Sequence, residues 1–300
     1  MTRVTKVMAG ATVMVGLEFR CRLATRSKLF SPCPSAIDAT PDSQVDAHTL
    51  ALPGTLPTLN RQAVGLAIRL ALALDAEIEP VSRWVRKHYF APTLAKGYQI
   101  TQRESPLARG GTIEVAGRAL GLTSIYLAED VGELRAGVVD LSRAGAPLLE
   151  LAGEPMIMRA TAEEASAFLR ALQTIIRASR VADIDMPGAL RCDAHVSLWP
   201  KGQDEPGTHC TIKDVESGPA LEQAIAAEVL RQTALLDQGM AVAALTLGYD
   251  AADDRLWVCG DHPSATQCCY LPEPDLPPLR IDTAWIERAR AELRDPRSLS

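Results

Sequence analysis

The segment VGLEFRCRL (residues 15–23) alternates apolar and polar side chains at every second position. Successive side chains of a strand point to opposite faces, so this period of two predicts a β-strand. Residues 1–16 superficially resemble a secretory signal, with two cations before a short apolar run. Because that run leads directly into the alternating segment, we interpret it as the entry to the first strand of the domain.

Helices are predicted at three later places by cap residues and apolar spacing. Asn60 precedes an amphipathic run, and Thr161 with Glu164 forms a capping box before another. A third helix is predicted to begin near Pro219 and to end before Gly239.

Short β-like runs separated by Gly and Pro turns fill residues 81–158, and two more precede the third helix. Residues 31–58 carry five prolines among serine, threonine and aspartate, which predicts a long ordered loop or lid. This pattern predicts an α+β fold in which helices cover one face of a mainly antiparallel sheet. The other face is left open for a ligand.

The composition excludes several classes of protein. A chain of 300 residues with 47% hydrophobic residues forms one large domain or two modest ones, and a net charge of −6 disfavours general nucleic-acid binding. Any RNA contact must be local or supplied by a partner. Seven scattered cysteines without a Cys-x-x-Cys pair indicate a reduced, cytoplasmic protein, and no stretch is long enough to cross a bilayer.

Four acids stand where strand-like runs would otherwise place apolar residues: Glu18, Glu129, Asp130 and Glu150. A carboxylate in such a position is costly to bury unless it meets a cation, a metal or a hydrogen-bond donor. Acids from separate strands would together make an oxygen-rich Mg²⁺ site. The alternative is that each faces outward on a half-exposed strand.

Basic residues lie near these acids in the sequence. They are Arg86, Lys87, Lys96, Arg143, Arg191 and Lys213. Cations together with strand-borne acids suit phosphoryl transfer, in which charge neutralisation and positioning dominate, although a salt-bridged surface explains them equally well. No Walker loop or other common nucleotide motif occurs in the sequence, so a nucleotide site must be of another kind.

Eight segments, in order, resemble the B subunit of the tRNA-dependent aspartyl/glutamyl amidotransferase over about residues 12–288. They are VGLEFRCRLATRSKLF, LPGTLPTLN, RKHYFAPTLAKGYQITQ, YLAEDVGEL, DLSRAGAPLLEL with the following EP, LRCDAHVS, TIKDVES and LPEPDLPPL. The resemblance implies a catalytic cradle domain over residues 1–288, with a glutamine-synthetase-like antiparallel sheet that supports ATP and Mg²⁺.

In that family, the protein uses ATP to phosphorylate a glutamate or aspartate side chain carried on tRNA, and a partner amidase supplies ammonia. The resemblance implies site residues for this chain. The metal-site acids would be Glu18, Glu129 and Glu150, and the ammonia path would include Lys87 and Lys96. From the position of the cations near the acids, we expect the nucleotide to contact Arg143, Arg191 and Lys213.

Departures from the family pattern affect both expected metal sites. Arg20 stands where a histidine metal ligand is expected, and a guanidinium cannot ligate Mg²⁺. The metal shell is then rearranged, or Arg20 binds phosphate directly, or the kinase step is lost. Of four zinc-ligand cysteines only Cys33 remains, beside Ser31, Asp46 and Thr49, so we predict no zinc.

The chain ends at Ser300, close to where the family's helical and tRNA-binding tail domains would begin, and we expect residues 289–300 to be a tail. Three functions remain open. The first is a diverged enzyme that activates a small or carrier-bound acid as an acyl phosphate. The second is an ordinary member of the family that works with separate tRNA-binding and amidase chains, and the third is a scaffold without catalysis.

The segment LPEPDLPPL (residues 271–279) resembles the family's closing segment. Its four prolines restrict the backbone, so we expect it to hold Glu273 and Asp275 against the cradle. The alternative is a stiff linker.

Overall fold

The computed structural model describes residues 11–37, 39–135, 137–153, 158–200, 202, 205, 207–259 and 268–293. The helices are α1 (Arg61–Ala73), α2 (Ala162–Ser179), α3 (Gly218–Asp237) and α4 (Thr283–Ala291). The strands are β1 (Thr12–Arg22), β2 (Glu77–Ile78), β3 (Val81–Ser82), β4 (Val85–His88), β5 (Tyr98–Thr101), β6 (Ala108–Arg109), β7 (Thr112–Val115), β8 (Arg118–Glu129), β9 (Glu133–Arg135), β10 (Val138–Asp140), β11 (Pro147–Gly153), β12 (Met158–Arg159), β13 (Leu190–Trp199), β14 (Cys210–Val215), β15 (Thr246–Asp250), β16 (Arg255–Val258), β17 (Cys269–Pro272) and β18 (Leu279–Arg280).

Strand β1 lies at the centre of the main sheet, as its alternation predicts. The main path runs β16-β15-β14-β13-β1-β11-β8-β5-β4-β17, and within the described residues only β14 and β15 pair in parallel. Val15, Leu17 and Phe19 of β1 are almost completely buried in the core. Burial of each such side chain stabilises the fold by about 1.5–3 kcal/mol.

The helices cover the apolar face of this sheet, which confirms the predicted α+β arrangement. Asn60 caps α1 by accepting from two backbone N–H groups, Thr161 and Glu164 form the predicted capping box of α2, and Ser217 caps α3. The apolar sides of all three helices join the core of β1. The side chains on the opposite side of β1, Glu18, Arg20 and Arg22, mark what we call the polar face.

The segment after β1 is a long irregular loop, as predicted for residues 31–58. Arg22 donates to the backbone oxygen of Ala36 at 3.1 Å, and the amide of Asn60 donates to the backbone oxygens of Ser27 and Lys28. The Arg22 contact attaches the loop to one end of the polar face, and the Asn60 contacts attach it to the start of α1.

The proline-rich segment 271–279 begins within β17, which pairs with β4 at one edge of the main sheet. Arg86 of β4 binds Glu273 with two hydrogen bonds of 2.8 and 3.0 Å and Asp275 with one of 2.9 Å. The segment therefore holds both carboxylates against the domain. Helix α4 ends at Ala291, close to the domain end predicted at residue 288, and that boundary stays a prediction. No helix among the described residues could span a membrane.

Candidate active site

The pairing register places charged residues from three neighbouring strands side by side on the polar face. Arg20 of β1 lies opposite Glu150 of β11 on one side and opposite Arg191 of β13 on the other. Glu18 lies opposite Asp193 of β13. Directly paired residues of adjacent strands share a face, so these five side chains form one charged group.

Arg20 is held in the middle of this group by acids from β13 and β14. Its Nη2 donates to Asp193 Oδ1 at 2.6 Å and to Asp214 Oδ1 at 3.3 Å. Lys213 Nζ donates to the other oxygen of Asp193 at 3.1 Å. Burial opposes ionisation of Asp193, but Arg20 and Lys213 hold its pKa well below the usual range. Asp193 is therefore an ionised anchor for both cations.

Asp130 plays the same part for two further arginines. Its Oδ2 accepts from Arg143 Nη2 at 2.8 Å and from Arg191 Nη2 at 3.1 Å. Although burial opposes its charge, the two guanidinium groups lower the pKa of Asp130. All three residues predicted to bind the nucleotide, Arg143, Arg191 and Lys213, thus belong to one network of alternating charges with Arg20.

Glu129 lies away from the other two predicted metal-site acids. It is two positions from Leu127, a residue of the core under the helices, and its carboxylate accepts from Lys96 Nζ and from the backbone N–H of Ile100. It lines a cavity of about 20 Å³ together with Lys28. The structure brings Glu18 and Glu150 onto the polar face but does not bring Glu129 to them.

Glu18 and Glu150 each have a partner that we did not predict from the sequence. Tyr126 donates its hydroxyl to Glu150 at 2.8 Å, and His195 Nε2 lies 3.8 Å from Glu18, whose pKa it lowers. Arg103 lies nearby; burial opposes its charge, but adjacent phenols and carboxylates raise its pKa. The alternation of β8 and β13 could have indicated Tyr126 and His195, whereas no sequence pattern marks Arg103.

The residues present do not fit the expected three-glutamate Mg²⁺ site. Arg20 lies directly opposite Glu150 and two positions from Glu18, so a fixed positive charge adjoins both acid positions. Within the described ranges, no group of three or more His, Cys, Asp or Glu side chains could hold a metal ion. A divalent cation there would be repelled by the guanidinium.

The residues at the expected zinc positions surround a buried ammonium group. Lys28 Nζ donates to Thr49 Oγ1 at 3.1 Å and to the backbone oxygen of Gln44 at 2.5 Å, and its charge also interacts with Asp46 and Cys33. Burial lowers the pKa of Lys28. A cation supplied by the chain itself therefore joins these parts of the loop.

The two lysines expected on the ammonia path contact different groups. Lys96 pairs with Glu129 and lies over the ring of Tyr98 at 5.3 Å. Lys87 lies over the ring of Tyr89 at 5.4 Å. These contacts do not link the two lysines, so their place on a common ammonia path stays a prediction.

The sequence matches a known family over most of its length. The family described as the GatB/GatE catalytic domain matches residues 13–287. Among its relatives is the B subunit of an aspartyl/glutamyl-tRNA(Asn/Gln) amidotransferase from Anaeromyxobacter sp. (strain Fw109-5), 42% identical over 96% of this chain and 62% of that protein. The protein of the same name from Herminiimonas arsenicoxydans is 42% identical over 94% of this chain and 60% of its own length. This chain thus spans about three fifths of those relatives.

Proposed function

The chain belongs to the GatB/GatE catalytic-domain family, and from this membership we propose that it uses ATP to activate a carboxylate for amide formation. The observation that carries the proposal is the charged group on the polar face. Arg20, Arg191 and Lys213 are ion-paired with Asp193 and Asp130 on the face that also carries the half-exposed Glu18 and that the helices leave uncovered. Such fixed cations can neutralise the charge that develops on a transferred phosphoryl group.

The proposed reaction has two steps. A carboxylate oxygen of the substrate attacks the terminal phosphorus of ATP, the bond to the bridging oxygen breaks, and ADP leaves. Ammonia then attacks the carbonyl carbon of the acyl phosphate, and inorganic phosphate leaves as the ammonia nitrogen loses a proton. Magnesium enters this proposal only as the counter-ion that ATP carries, and no residue of this chain is given a metal-binding role.

The substrate we propose is an aspartyl or glutamyl group on tRNA. The identity of 42% to proteins named as the B subunit of an aspartyl/glutamyl-tRNA amidotransferase favours this substrate over the small or carrier-bound acid considered from the sequence alone. With a net charge of −6, we expect most of the RNA contacts to be made by other protein segments or chains. An amidase partner would supply the ammonia.

Trapping the acyl phosphate with hydroxylamine tests the proposal. The chain, with any copurifying partner, is incubated with ATP and either glutamyl-tRNA, aspartyl-tRNA or free glutamate. With an aminoacyl-tRNA, we expect a side-chain hydroxamate that forms only when ATP is present, together with an equal amount of ADP. Removing one positioned cation from such a site typically slows the reaction by about 10²-fold or more, so Lys213→Gln should lower the rate to that extent.

The matched control is Arg109→Gln. It removes an exposed cation of β6 that pairs with Glu79. Its rate should equal that of the unchanged chain. If no acid yields a hydroxamate while an amidase partner still binds, the chain is a scaffold and the proposed function is wrong.

A further inference from the structure

Arg20 and Arg191 are directly opposed across the β1–β13 pair. Like charges in this position repel each other and destabilise the sheet unless an anion lies between them. Both side chains are mostly buried, with 23% and 9% of their surface exposed. Asp193 holds Arg20 from one side and Asp130 holds Arg191 from the other. The space shared by both guanidinium groups is left to a third acid.

That third acid is Asp214, and it is held weakly. Its Oδ1 lies 3.3 Å from Arg20 Nη2 and 3.5 Å from Arg191 Nη1. Charge-assisted hydrogen bonds of this kind are normally about 2.7–2.9 Å long. The side chain of Asp214 is 47% exposed, whereas that of Asp193 is 5% exposed. Asp214 can therefore leave the arginines at little cost in contacts.

The backbone at Asp214 supports the same conclusion. Its φ of 57° lies in the left-handed region, and the register between β13 and β14 shifts beside it. An aspartate in this conformation is strained relative to an extended strand residue. Irregular pairing of this kind redirects a side chain and is frequent next to binding sites.

Arg191 also has an unused donor. Its Nε is buried and has no hydrogen-bond partner among the described residues. A buried donor without an acceptor destabilises the folded protein. The arginine is therefore incompletely satisfied by Asp130 and Asp214, and an added oxygen acceptor would remove this cost.

We propose that Asp214 is an internal anion that occupies an oxyanion subsite between Arg20 and Arg191, and that a phosphate or carboxylate group of a ligand displaces it. The class of ligand rests on the proposed function. The positive charge of the subsite comes entirely from the two guanidinium groups, so the ligand binds without a divalent cation. Asp214 lowers the affinity for anions by competing for the same donors.

Titration calorimetry in EDTA at constant ionic strength tests the subsite, with inorganic phosphate and glutarate as separate probes. We expect Asp214→Asn to bind at least one probe about tenfold more tightly, because the competing charge is gone while asparagine accepts the left-handed backbone. Arg20→Gln should weaken the same probe by about tenfold or more. A stronger response to phosphate identifies a phosphoryl subsite, and a stronger response to glutarate a carboxylate subsite.

The matched control is Asp254→Asn. Asp254 is another exposed aspartate with a left-handed backbone, at a φ of 48°, and its carboxylate accepts from Tyr249. Its replacement changes the net charge by the same amount, so probe affinity should stay unchanged.

The inference is wrong if Asp214→Asn binds both probes as the unchanged chain does, if Asp254→Asn gains equally, or if binding requires Mg²⁺. Hydroxamate formation without the Asp214 effect would overturn the subsite alone. The expected Asp214 effect without hydroxamate formation would overturn the proposed function alone.

Discussion

Lys28 shows how one residue organises the loop that follows the central strand. Its side chain is almost fully buried, and its ammonium joins Gln44 to Thr49. Such a charge is costly to bury unless it is hydrogen-bonded. The loop therefore depends on a cation that is bound by the backbone carbonyl of Gln44 and the hydroxyl of Thr49, 16 and 21 residues further along the chain.

Replacing Lys28 with methionine keeps most of the side-chain volume and removes the charge. The oxygens of Gln44 and Thr49 then lose their donor inside the protein, so we expect the free energy of unfolding to fall by about 2–4 kcal/mol. Urea unfolding measures the change. Arg26→Met, at an exposed position of the same loop, should shift stability by less than about 0.5 kcal/mol. Equal midpoints for the two variants would contradict this role of Lys28.

At the residue scale, Glu129 and Asp130 mark the limit of sequence-based prediction. They are adjacent acids at the end of β8, and the sequence indicates that both are unusual for a strand. Which of them reaches the polar face depends on the register of β8 against β11, which involves residues about twenty positions apart. The resemblance favoured Glu129, whereas the contacts bring Asp130 to the arginines.

Among the elements, the helices were the most predictable parts of the fold. Asn60, Thr161 and Ser217 each satisfy free N–H groups locally, so their effect is visible within four residues of sequence. The sheet order was not predictable, because β1 pairs with β11 and β13, which lie more than a hundred residues later. Long-range pairing leaves no local signal beyond the alternation itself.

The closing segment of residues 271–279 gives a prediction at the scale of elements. Arg86 of β4 holds Glu273, whose side chain is completely buried, and lies 4.4 Å from the ring of Tyr98. Arg86→Met would leave the carboxylate of Glu273 buried without its cation, so we expect a loss of about 2–4 kcal/mol in the free energy of unfolding. Amide hydrogen exchange in β17 should increase more than elsewhere.

Arg109→Met is the control for Arg86→Met, because the ion pair of Arg109 with Glu79 is largely exposed. Exposed pairs contribute at most about 1 kcal/mol, and the exchange of β17 should be unaffected. Unchanged exchange in the Arg86 variant would mean that the prolines alone hold the segment.

At the scale of the whole molecule, the two faces of the main sheet stabilise the protein in different ways. The helix-covered face contributes by burying aliphatic side chains, which is independent of pH. The polar face depends on ionised acids: Asp130 and Asp193 are both buried, and although burial opposes their charge, neighbouring cations lower the pKa of both. The free energy of unfolding should therefore depend on the ionisation of these two acids.

Acidification tests this connection. A carboxyl group whose pKa is lower in the folded state contributes stability above its unfolded pKa of about 3.9, and the contribution is lost as pH falls through the folded pKa. We expect the free energy of unfolding to stay nearly constant from pH 7 to 5. Below about pH 4 it should fall by up to about 1.4 kcal/mol per pH unit for each aspartate.

Asp193→Asn should be less stable at pH 7, because Arg20 and Lys213 lose their partner, and its decline in acid should be shallower. Asp185→Asn, which removes an exposed acid paired with Arg177, should keep the full acid dependence. Urea unfolding at pH 7, 5, 4 and 3 separates these outcomes, and a decline equally steep in the Asp193 variant would show that the acid sensitivity arises outside the polar face.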